Sequence, residues 1–164
     1  MASGGDQPPL DPDGAALMAE GARRLIDGVT RLGGDWVVRT VMTRIDQWGR
    51  LDAGARARAL DDAATVGVAA ATRVAAELEA LLALPPAAQR ATPLEIIRTL
   101  RDEATLVLRH AGVPEIERDP FEVRAFPDDV YGIVLRTPVE LGDEELGGAL
   151  LAWGLGKAKA LRET

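Results

Sequence analysis

Apolar side chains recur along most of this chain at alternating steps of four and three, the spacing that lines one face of an α-helix. In the first such stretch they are Met18, Ala22, Leu25, Val29 and Leu32, with Asp13 placed to cap the start. Gly33-Gly34 interrupts the frame, and Asp35 offers a new cap. A second stripe follows, through Val38, Val41, Ile45 and Trp48, and Gly49 closes it. The pattern thus predicts two helices before residue 50.

The longest periodic stretch runs from about Asp52 to Leu84. Leu60, Ala64, Gly67, Ala71, Val74, Leu78 and Leu81 form a heptad-like seam with small residues in its middle. Such a seam either closes an internal helical hairpin on the first two helices or pairs with another chain. Pro85-Pro86 stops it. Thr92-Pro93-Leu94-Glu95 then reads as a complete helix start: a threonine cap, proline at the first helical position and glutamate positioned for a capping box. Leu94, Ile97, Leu100, Ala104, Val107 and Ala111 share one face, and Gly112 with Pro114 beyond it is a regular ending.

Periodicity fails between residues 113 and 142. This stretch is rich in proline and carboxylates and holds both phenylalanines and the single tyrosine. Long irregular segments with large apolar anchors are often functional, so Phe121, Phe126, Val130 and Tyr131 are expected to dock it on the helices. A last helix spans 143–162. Asp143 caps it, Glu144 and Glu145 fill its first turn, and Lys157, Lys159 and Arg162 lie near its end, matching the helix dipole. Gly147, Gly148, Gly154 and Gly156 lower its helix propensity by roughly 1 kcal/mol each, which implies close backbone contact with a neighbour or a bend.

The expected architecture is therefore all-α: a bundle of about five helices in one domain over 13–164, after a flexible Gly/Pro-rich tail at 1–12. Its core is expected to centre on Leu60, Val74, Leu78, Leu94, Ile97, Leu100 and Leu108. Composition agrees. Of 164 residues 47% are hydrophobic but only 4% aromatic, so alanine supplies much of the apolar content and close helix packing is favoured. A net charge of −7 repels phosphate backbones and disfavours nucleic acid as a partner. The absence of cysteine removes thiolate chemistry and Cys-based metal sites. With His110 the single histidine, no site can draw two imidazoles from one chain.

No apolar stretch is long enough for a membrane span; the nearest, Ala63 to Ala76, is mostly alanine and contains Arg73. The first residues lack the basic and apolar regions of a secretory signal, and the expected location is the cytoplasm. Arginine outnumbers lysine heavily and asparagine is absent, usage typical of a GC-rich genome.

Chemical motifs are few. Gly154-Leu155-Gly156-Lys157 lacks the upstream glycine and following hydroxyl residue of a phosphate loop. Glu103 and His110, seven apart on one helix face, could join Asp128 and Asp129 as divalent-metal ligands or acid/base groups. The plainer reading makes His110 a solvated residue at a helix end and the aspartates turn residues. Trp36, Trp48 and Trp153 sit on or beside apolar stripes without interleaved basic residues, which suits packing or a partner contact better than base stacking. No cofactor is expected.

Phe126-Pro127-Asp128-Asp129-Val130-Tyr131-Gly132 is the most distinctive string. Together with Trp153-Gly154 and Lys157-Ala158 it resembles a family of small uncharacterised proteins from high-GC Gram-positive (actinobacterial) genomes, over about Thr92–Ala160. The resemblance implies a bacterial cytoplasmic protein and carries no activity. The functional expectation is a non-enzymatic protein–protein interaction module (an adaptor, accessory subunit or regulator) that binds a protein partner or forms a homo-oligomer. Phe126, Asp128, Asp129, Tyr131 and Trp153 are its candidate contact surface. The alternatives are a small enzyme or metal binder built on Asp128, Asp129, Glu103 and His110, and peripheral membrane or granule association through the Ala-rich helix, which lacks the basic flank favoured by anionic lipids.

Overall fold

A computed structural model describes residues 12–114 and 144–161. Among these residues the chain forms four α-helices, α1 (Pro12–Trp48), α2 (Ala53–Leu82), α3 (Pro93–His110) and α4 (Glu144–Ala160), with a short 3-10 turn at Pro86–Ala88. The all-α expectation holds. The expected break at Gly33-Gly34 does not occur, and the first two predicted helices are one helix of 37 residues. The cause is contact. A side chain on Gly33 would meet the Ala71 methyl at 3.0 Å, and one on Gly67 would meet the Gly34 carbonyl oxygen at 2.8 Å. These glycines let α1 and α2 approach; they do not end a helix. Asp35 consequently lies mid-helix and exposed, and Asp13 falls in the first turn of α1, so neither begins a helix as expected.

The start of α2 carries a cap not read from the sequence, while both ends of α3 behave as the sequence predicts. The Asp52 carboxylate caps α2 by accepting from the Ala55 amide at 2.8 Å. Thr92 and Glu95 form both bonds of the capping box, and Pro93 follows the cap. At the other end of α3, Gly112 adopts φ +80°, its amide donating to the Arg109 carbonyl and that of Val113 to Leu108. This double closure satisfies carbonyls the helix leaves open, and Val113 is buried beside it.

The long helix α1 is the axis of the fold, and α2, α3 and α4 all pack on it, while α3 also packs on α2. Its buried residues include Leu25, Val29, Val37, Val41 and Ile45. The α2 seam is internal: Gly67, Ala71, Val74, Leu78 and Leu81 are buried. Its first heptad is displaced by one residue from the expected frame, with Ala59 and Ala63 buried, Leu60 only half-buried and Ala64 exposed. Val74, Leu78, Leu94, Ile97 and Leu100 are core residues as expected, whereas Leu108 is half-buried.

Among the described residues the α1 and α4 backbones approach most closely. The helices run antiparallel, with Gly14 against Lys159 and Ala160, Gly21 against Trp153, and Gly28 against Leu146. Steps of seven along α1 thus match steps of seven backwards along α4. A side chain on Gly156 would fall on the Met18 backbone, and one on Gly21 would lie 2.5 Å from the Trp153 nitrogen. The glycine-rich character of α4 therefore serves backbone contact at Gly156. Gly147 is different, with no neighbour within 4 Å of its missing side chain.

Candidate functional site

Of the five residues proposed from sequence as a contact surface, Phe126, Asp128, Asp129 and Tyr131 lie outside the described residues. Trp153 is described, and the structure corrects its placement. Its side chain is 1% exposed within the α1–α4 interface, so it is a core residue and its ring is not presented to a partner. The periodic pattern puts Trp153 there for a simple reason: Gly21 opposite leaves room for the α4 backbone that carries it. The Lys157 ammonium lies 5.0 Å from the ring centroid, within range of a cation–π attraction. Partial burial holds the Lys157 amine below the ordinary lysine range. The indole Nε1 is buried and has no hydrogen-bond acceptor among the described residues.

Of the residues of the acid/base reading, Glu103 and His110 are described. Glu103 sits on the side of α3 that faces α2, where its carboxylate accepts from Arg73 Nη2 at 2.9 Å. His110 is the last residue of α3 and is exposed. Among the described residues no three histidine or carboxylate side chains converge as metal ligands. Asp128 and Asp129, the other half of that constellation, lie outside them.

A feature that the sequence reading passed over is the outer face of α2. Between Ala64 and Ala76 its exposed residues are Ala64, Thr65, Val68, Ala69, Thr72, Arg73 and Ala76. Arg73 is the only charged one, and its guanidinium is engaged with Glu103 at the edge of this face. Both threonine hydroxyls donate to their own helix, Thr65 to the Asp61 carbonyl at 3.3 Å and Thr72 to the Val68 carbonyl at 3.0 Å. With those hydroxyls turned to the backbone, the outer face is built of methyl groups. At its centre stands Val68, 66% exposed, the most exposed large apolar side chain among the described residues.

The contrast with α1 is direct. Exposed positions there include Glu20, Arg23, Arg24, Asp27, Arg31, Asp35, Arg39 and Asp46, the charged pattern of a solvated helix. Charges do flank the bare stretch of α2: Arg58, Asp61 and Asp62 lie before it and Glu77 and Glu79 after it, all exposed. An apolar centre with a polar rim is the anatomy of a protein contact surface. The signal was present in the sequence as the nearly uncharged run Ala63 to Ala76. The buried seam uses one side of that run, and on the exposed side Arg73 is the one charge.

No helix among the described residues is long and apolar enough to cross a membrane. Comparison with known proteins finds no matching family model, no matching curated protein and no matching solved structure.

Proposed function

We propose that the protein is a helical interaction module, an adaptor, accessory subunit or regulator, that docks another protein on the outer face of α2. The observation that carries this reading is the uncharged surface centred on Val68, on a helix whose opposite face already closes the core. In an acidic, highly charged chain, a methyl-covered middle on the outer side of this 30-residue helix is accounted for if that middle is covered in use.

The test is affinity purification from native cells with the wild type and with Val68→Asp. Val68 is largely solvent-exposed, so a charge there leaves the bundle folded, as circular dichroism should show. The reading expects a partner that is retained by the wild type and lost by the variant. Identical protein profiles from the two baits would remove the α2 face from consideration.

A further inference from the structure

We infer that the occupant of the α2 face is a second copy of this chain, paired antiparallel through α2 about a two-fold axis between Val68 and Ala69. This rests on the reading of that face as a docking surface and adds the identity of the partner. The first support is its periodicity. On the outer side of α2, Arg58, Asp61, Thr65, Val68, Thr72 and Glu79 are exposed, at steps of three, four, three, four and seven. That is a second seam on the helix, opposite the buried one, with polar ends and an apolar middle.

Charge decides the partner and its direction. When two copies are laid antiparallel about the Val68–Ala69 axis, Arg58 of each faces Glu79 of the other. Thr65 faces Thr72, Val68 faces Ala69, and Asp61 faces Ala76. Arg58 and Glu79 are both exposed, and neither side chain has an ion-pair or hydrogen-bond partner among the described residues. The pairing would engage both, twice over. A parallel pairing would set Asp61, Asp62 and Glu79 against their own copies, and like charges in contact are repulsive. Antiparallel helices also place opposite dipole ends side by side. The small residues of the centre allow the close approach this chain already uses between α1 and α4. A single helix pair lies at the low end of interface size, so the dimer is expected to be reversible at micromolar concentration.

The chain has no cysteine, which makes single-cysteine variants clean reporters. The experiment is sedimentation equilibrium of the full chain up to about 100 μM, a range that captures weak micromolar dimers, with oxidative cross-linking of Arg58→Cys mixed with Glu79→Cys. The expected result is a dimer whose dissociation constant rises at least about tenfold in Val68→Asp. Arg58→Cys should link to Glu79→Cys and not to itself. Arg58→Glu and Glu79→Arg should each weaken association, and the double variant should restore it. Self-linking of Arg58→Cys in preference to the mixed pair would overturn the antiparallel arrangement. A wild type that stays monomeric throughout would overturn self-pairing altogether. In that event, loss of another captured protein by Val68→Asp would still leave the docking-surface reading standing, whereas no loss would end both.

Discussion

Replacing Gly21 by alanine tests the α1–α4 contact with the smallest possible perturbation. In an exposed stretch of helix this change stabilises, by about 1 kcal/mol, because alanine loses less backbone entropy than glycine. At Gly21 the new methyl would lie 2.5 Å from the Trp153 nitrogen, 2.7 Å from its Cα and 2.9 Å from its Cβ. Carbon atoms in contact sit at about 3.5–4.0 Å, so α1 and α4 must separate by about 1 Å. Two of the three atoms are backbone and cannot rotate aside. Overpacking of this kind costs about 1–3 kcal/mol, and the upper end applies where a whole helix must shift. Offsetting the propensity gain of about 1 kcal/mol leaves a net loss near 2 kcal/mol.

Gly147→Ala is the matched control, since nothing lies within 4 Å of its added methyl. It should stabilise by about 1 kcal/mol. The same chemical change in the two partner helices should therefore move the urea midpoint in opposite directions. For a chain of this size the melting temperatures should fall by roughly 4–8 °C and rise by roughly 2–4 °C. If Gly21→Ala stabilises as Gly147→Ala does, the two backbones do not touch at Gly21 and the register between α1 and α4 is wrong.

Further outcomes follow from other parts of the fold. Leu78→Ala, at a fully buried position of the α2 seam, should destabilise by about 2–5 kcal/mol in denaturant titration; a change below roughly 0.5 kcal/mol would mean the seam is not core. Thr92→Ala removes the side-chain half of the capping box and should cost about 1 kcal/mol, with faster amide exchange confined to the first turn of α3. Lys157 binds its proton less tightly in the folded chain than unfolded, because it is partly desolvated. Deprotonation then relieves the fold first, so stability should rise slightly as pH climbs toward the ordinary lysine range, and Lys157→Gln should flatten that rise. Hydrogen exchange across Phe121 to Tyr131 tests whether that segment docks as the sequence suggests; exchange at the rate of an unstructured peptide would show that it does not.

What the sequence made legible was whatever depends on neighbours in the chain. The α3 helix is readable in full because its cap, its apolar stripe and its Gly112 ending are all local. Contacts between distant residues were harder. Gly33-Gly34 reads as a break until Gly67, Ala71 and Leu100 are seen opposite it, and nothing nearby in sequence announces them. Ala63 and Ala64 fit the α2 stripe equally well by size, and only the position of α1 and α3 buries one and exposes the other. Of the α4 glycines Gly156 does mark a close neighbour and Gly147 does not, while the counterpart in α1, Gly14, Gly21 and Gly28 at heptad spacing, carries the contact. The sequence pattern puts Trp153 on a contact surface, whereas Gly21, far away in the chain, lets it pack as core. The α2 face escaped notice for a related reason: alanine and threonine register weakly on any search for large apolar side chains.

The seven-step match between α1 and α4 also sets how the two helices can move. Sliding one past the other by a single turn would drive Met18 or Leu25 into places now filled by backbone. The next translation that brings glycine back to the crossing points is seven residues away, about 10.5 Å along the axis. The pair is therefore indexed like a ratchet with widely spaced teeth, because a slide of one turn sets side chains where backbones now touch. Under load α4 should stay in place or come away whole, with no gradual creep between those two states.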